Sequence, residues 1–90
     1  MKSKIKLPVQ CPSCDEQLHV SALSCDNCRT SITGHYELPP LLQLNQEEQA
    51  FVYHFVLNSG SIKHMSEQMK LSYPTVRNVL DGIIEKLRKN

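Results

Sequence analysis

Four cysteines stand in two equally spaced pairs, Cys11-Pro-Ser-Cys14 and Cys25-Asp-Asn-Cys28, with ten residues between them. A C-x-x-C turn points backbone amides at its thiolates while both sulfurs reach one ion, and two such turns complete a tetrahedral site. Four soft thiolates suit Zn2+. A coordination sphere filled by protein sulfur leaves no position for water or substrate, so Cys11, Cys14, Cys25 and Cys28 are expected to hold a structural metal rather than a catalytic one. Two disulfides, or an iron electron-transfer site, could use the same four residues. A colourless preparation excludes ferric iron. His19 and His35 flank the pairs, are not needed as ligands and read as surface residues. His54 and His64 fall in helical patterns with no partner at ligand spacing.

A second group of polar residues lies near the carboxyl end. Projected at about 100° per residue, the pattern after Ser72 places Pro74, Arg77, Asn78 and Asp81 opposite an apolar stripe, with Tyr73 and Thr75 beside them. Arg77 can donate to guanine or phosphate, Asn78 can pair bidentately with adenine, and Thr75 can meet a phosphate or a thymine methyl. Each such base contact is worth roughly 1–3 kcal/mol of discrimination. Asp81 and Glu85 share this face and oppose phosphate unless they accept from cytosine amines. The competing reading is a solvated outer face of a compact helical domain.

The elements that must position these groups can be read from the periodicity. Leu18, Val20 and Ala22 alternate with Gln17, His19 and Ser21, which predicts a short strand with one covered face. Ser31 to Leu38 is a second β-like run. Two cysteine knuckles with two short strands make a zinc ribbon. Pro39 and Pro40 are expected to exclude helix and to give an extended connection over 39–44.

Beyond it, Asn45 with Glu48 forms a capping-box start, and Phe51, Val52, Phe55 and Val56 recur at helical spacing. Asn58-Ser59-Gly60 is a stop. Ser61 caps a short second helix whose buried side is marked by Ile62, Met65 and Met69. After a tight turn at Lys70 and Leu71, Ser72 caps a third helix with Pro74 in its first turn and Val76, Val79, Leu80, Ile83 and Leu87 as its core stripe. A short helix, a turn and a longer capped helix form a helix-turn-helix, with the third helix presented to the major groove.

At 90 residues the chain lies near the lower limit for independent folding, where one core yields only roughly 3–5 kcal/mol, so a staple is expected. Residues 1–9 hold Lys2, Lys4 and Lys6 but no apolar signal core, and no stretch reaches the length of a membrane span. A cytoplasmic location follows, where paired thiols act as metal ligands before disulfides. Ten Lys and Arg against nine Asp and Glu leave a formal charge of only +1, a modest electrostatic case for nucleic acid. No catalytic Ser/His/Asp order and no phosphate-binding glycine loop is present, so no enzymatic activity is expected.

The segment Ser61–Leu87 resembles the helix-turn-helix of the fourth region of bacterial sigma factors and of response-regulator output domains, through Leu71-Ser72, Thr75-Val76-Arg77-Asn78, Leu80, Ile84 and Lys86-Leu87. With the C-P-S-C start, nearly the whole chain resembles a bacterial domain-of-unknown-function family that joins a zinc ribbon to such a motif. The resemblance implies double-stranded DNA as partner, with Ser72, Tyr73, Pro74, Thr75, Arg77, Asn78 and Asp81 as candidate contacts, or docking on RNA polymerase or a sigma factor. The chain departs from the usual pattern at Lys70, where glycine commonly turns, and at Gly82, whose place in mid-helix implies a close packing contact. An apolar edge at Tyr73 and Ile84 is a candidate homodimer contact. The expected fold is α+β: a zinc ribbon over 1–38, a proline-containing linker over 39–44 and a three-helix domain over 45–90.

Overall fold

The computed structural model describes residues 7–89; the expectation resting on Lys2, Lys4 and Lys6 lies outside the described residues. In chain order the elements are β1 (Val20–Ser24), β2 (Ser31–Tyr36), α1 (Pro40–Gln43), α2 (Gln46–Leu57), α3 (Ile62–Met69) and α4 (Tyr73–Arg88). Among the described residues the composition is α+β, with the three helices expected over 45–90 and a fourth, α1, in the expected linker. The chain divides into two compact units, Met1–Gln43 and Leu44–Asn90.

In the first unit β1 and β2 pair antiparallel, Val20 opposite Tyr36 and Ser24 opposite Ser31. Between Val20 and Ala22 the register shifts, because β2 carries one extra residue there. Such a bulge bends and twists the ribbon locally. The exposed rings of His19 and His35 stack across it with centroids 3.8 Å apart, and His35 Nε2 lies 3.3 Å from Glu37 Oε2. The expected covered strand face is absent: in β1 only Val20 is half-buried, and β2 is exposed throughout. A two-stranded ribbon has no further layer to bury a face. Leu18, Val20 and Ala22 instead line an open groove of about 530 Å3 with Leu7, Tyr36, Leu38 and Leu42.

The segment expected to exclude helix contains α1. Pro40 stands first in it, where a helix has no use for the missing N–H, and its fixed φ already suits the turn. Leu42 N–H donates to the Pro39 carbonyl at 2.9 Å, and Gln43 Nε2 donates to the Leu38 carbonyl at 2.6 Å.

In the second unit all three expected N-caps form. Asn45 Oδ1 accepts the Glu48 N–H at 2.8 Å while Glu48 Oε1 accepts the Asn45 N–H at 3.0 Å. The other carboxylate oxygen of Glu48 takes Lys86 of α4, so one side chain both caps α2 and ties it to α4. Ser61 and Ser72 accept from His64 N–H and Thr75 N–H respectively. Leu44, Phe51, Ile62, Met65, Val76 and Ile83 form the core, with Val52, Phe55, Leu80 and Leu87 packed against it.

Three expectations about packing need correction. Met69 and Val79 are 38% and 37% exposed and line a shallow depression beside Phe51. Helical periodicity assigns a face, and the face drawn is wider than two short neighbouring helices cover. Gly82 marks no close contact: nothing lies within 4 Å of where its Cβ would be. Val56, with Tyr53 and Leu57, lies on the outer side of α2 at 63–67% exposure. Gln46 and Gln49, both half-buried, stand one and two turns earlier on that side of the helix.

Candidate metal centre and nucleic-acid interface

The two cysteine turns are built alike, 14 residues apart. Around the first, Cys11 N–H donates to Glu16 O and Asp15 N–H to Cys11 O; around the second, Cys25 N–H donates to Thr30 O and Arg29 N–H to Cys25 O, all at 2.8 Å. Asp15 and Arg29 both adopt left-handed backbone, φ 65° and 66°. Each loop is closed by a β-type pair, Gln10 with Gln17 and Ser24 with Ser31. The left-handed residue reverses the chain directly after the second cysteine, which leaves the two sulfurs of each turn on the same side.

The sulfurs are electrostatically prepared. The backbone N–H groups of Cys14 and Ser13 hold the Cys11 thiol below its ordinary pKa, and Ser13 N lies 3.4 Å from Cys11 Sγ. The Thr30 hydroxyl, 2.9 Å from Cys28 Sγ, and the Thr30 backbone N–H lower the Cys28 thiol. Donors aimed at a sulfur favour its thiolate, the form that ligates metal. Cys11 is half-buried and the other three cysteines are exposed, all as free thiols. The structure brings Cys11 to Cys14 and Cys25 to Cys28. Among the described residues no three Cys, His, Asp or Glu side chains stand close enough to hold an ion. Soft donors in two equivalent knuckles nevertheless fit a thiophilic divalent metal in chemistry and number.

In the second unit the turn between α3 and α4 is made by Lys70, left-handed at φ 60°, ψ 40°. Its N–H and that of Leu71 both return to the Ser66 carbonyl. Ser72 then opens α4. Its hydroxyl is engaged by Thr75 N–H at 3.3 Å and by Thr75 Oγ1 at 2.8 Å, so these two candidate contacts first serve the cap. Tyr73, Pro74, Arg77, Asn78 and Asp81 are all exposed along α4. Arg77 Nε lies 3.3 Å from Asp81 Oδ1. Glu85 lies 4.0 Å from Arg88. Both carboxylates that oppose phosphate thus have a cation beside them.

A family model described as the DUF2089 zinc ribbon matches residues 11–42, and one described as the domain of unknown function (DUF2089)-HTH matches residues 44–90. The chain belongs to the DUF2089 family. The two matches meet where the chain divides into its two units. No curated protein and no solved structure matches the chain. No helix among the described residues is long and apolar enough to cross a membrane.

Within the DUF2089 ribbon, sequence reasoning found the four cysteines but passed over Asp15, Arg29 and Thr30. A signal existed for the first two: a left-handed residue is often needed directly after a tight turn, and Asp tolerates that backbone better than Arg. Within the DUF2089 helix-turn-helix, the double role of Glu48 was missed. Its partner Lys86 is 38 residues away and no local pattern pairs them.

Proposed function

We propose that this chain is a small, non-catalytic DNA-binding transcription regulator. One structural Zn2+ on Cys11, Cys14, Cys25 and Cys28 staples its ribbon, and α4 reads the major groove of duplex DNA. The observation that carries this reading is the turn at Lys70, which sets α3 and α4 in helix-turn-helix order, with Val76 buried and the outer face of the first half of α4 exposed. The family match to a helix-turn-helix supports it.

Tyr73, Thr75, Arg77, Asn78 and Asp81 stand in the first two and a half turns of α4, the part of a recognition helix that meets base edges. Ser72 and Pro74 start the helix; Pro74 has no N–H and the Thr75 N–H is bonded to Ser72, so it is the positive end of the helix dipole that favours a phosphate there. When bound, the metal supplies a cross-link among four sulfurs, worth roughly 10–16 kcal/mol toward folding in comparable modules. The twin knuckles support that assignment, and a cytoplasmic location goes with it. The exposed Tyr73 and the half-buried Ile84, about three turns apart on the same side of α4, offer an edge for a homodimer, which would double the reading surface.

Duplex binding by the zinc-loaded chain, followed by fluorescence anisotropy at several salt concentrations, tests the reading. A sequence-dependent affinity that falls with salt is expected. Equal, negligible binding to all duplexes refutes it.

The exposed apolar side chains of Tyr53, Val56 and Leu57 on α2 favour a second reading, a module docking on RNA polymerase or a sigma factor. Under that reading Tyr53→Glu abolishes binding to purified polymerase while Arg77→Ala leaves it intact.

A further inference from the structure

The carboxylate of Asp81, like that of Glu85, is a feature of α4 that DNA binding does not readily absorb. Helices that lie along phosphates carry cations, and an acid on the outer face costs affinity. Asp81 is nevertheless placed against Arg77, one turn nearer the start of the helix. Its Oδ1 lies 3.3 Å from Arg77 Nε, with the two side chains 53% and 54% exposed. Among the described residues Asp81 is the ionic partner of this guanidinium.

We infer that Asp81 is a positioning residue that pins Arg77 through Nε and so commits its two Nη groups to a guanine edge. The inference rests on the DNA-reading function proposed above. A guanidinium offers donor pairs along two edges, one of which includes Nε. With Nε engaged by Asp81, the remaining pair is Nη1 and Nη2, whose spacing matches O6 and N7 of guanine in the major groove. The ion pair also lowers the entropy lost when a long flexible side chain is fixed on a base. Because Asp81 offsets the charge of Arg77, the pair adds little to phosphate attraction. It trades general affinity for discrimination at one base pair.

An exposed i,i+4 ion pair that only supported the helix would contribute a few tenths of a kcal/mol and would leave base preference untouched. Base preference is therefore the readout. Randomised duplex DNA is selected by the zinc-loaded full chain and by Asp81→Ala, Asp81→Asn and Arg77→Ala, and the enriched duplexes are titrated with salt. The wild-type chain is expected to favour guanine at one position by about tenfold or more. Arg77→Ala should abolish that preference. In Asp81→Ala the preference at that position should fall to within about threefold with the others unchanged. The freed Arg77 then reaches phosphate, steepening the salt slope by about one unit. Asp81→Asn, whose neutral side chain retains an oxygen able to accept from Nε, should keep guanine.

Retention of the guanine preference in Asp81→Ala overturns the inference while leaving DNA reading intact. A motif with no position sensitive to Arg77→Ala does the same, as does an Asp81→Asn variant that behaves like Asp81→Ala. Failure of the wild-type chain to enrich any motif removes both the inference and the function on which it rests.

Discussion

Asp15 and Arg29 occupy the same left-handed position, φ 65° and 66°, each one residue after the second cysteine of its knuckle. Two turns with the same hydrogen bonds thus impose the same backbone on an acid that tolerates it and on a long cationic side chain that does not. The left-handed region costs a residue with Cβ about 1–2 kcal/mol, less for Asp. Arg29→Gly is therefore expected to stabilise the metal-loaded ribbon by about 1 kcal/mol and Asp15→Gly by less. Denaturant unfolding monitored through the ribbon checks it. A loss of stability in Arg29→Gly would show that its side chain makes a compensating contact.

Removal of metal should act on one unit only. The ribbon exposes nearly all of both strands, whereas residues 44–90 have their own apolar core. A chelator, or Cys11→Ser, is expected to collapse the NMR signals of β1 and β2 to random-coil shifts while the helical circular dichroism persists. One zinc per chain by elemental analysis should accompany the folded ribbon. Native strand signals in metal-free protein would refute the structural role.

Met65 and Met69 lie one helical turn apart and look alike in sequence. Met65 is 1% exposed and Met69 38%. Met65→Ala should cost about 2–5 kcal/mol, as truncation of a filled core position does. Met69→Ala should lie within about 0.5 kcal/mol of the parent, as surface changes usually do. Chemical denaturation of both variants measures the contrast, and equal losses would place Met69 in a core that the structure does not give it.

Two positions in the helix-turn-helix leave stability unrealised. Lys70→Gly relieves a left-handed backbone, and Gly82→Ala fills open space in the middle of α4. Each is expected to raise stability by about 1 kcal/mol. Thermal melts of the two variants provide the check. If Gly82→Ala destabilises, a partner or close approach occupies that helix face.

Glu48 joins the start of α2 to Lys86 of α4, so its removal cuts two interactions at once. Glu48→Ala should cost about 1 kcal/mol through the lost cap and more than Lys86→Ala, because an ion pair whose lysine is exposed contributes little by itself. A double-mutant cycle separates the two terms.

The local grammar of this chain was legible in its residues. Asn45, Ser61 and Ser72 start helices because their short polar side chains satisfy free N–H groups within three residues, an interaction that distance along the chain decides. The cysteine spacing named the knuckles for the same reason, and the tight turn at Lys70 was placed correctly, though its left-handed backbone was seen only in the structure. Short range also explains the error at Pro40: a proline rule written for helix interiors does not hold at a helix's first residue.

What the tertiary structure decided is which members of an apolar face are covered, since burial depends on neighbours far away in sequence. Periodicity cannot distinguish Val76, fully buried, from Val79, or tell that Gly82 faces open space. It cannot pair Glu48 with Lys86 or show two knuckles repeating one backbone. The i,i+4 spacing of Arg77 and Asp81 permits a contact on α4 but does not fix its geometry, and the rotamers place Asp81 Oδ1 3.3 Å from Arg77 Nε.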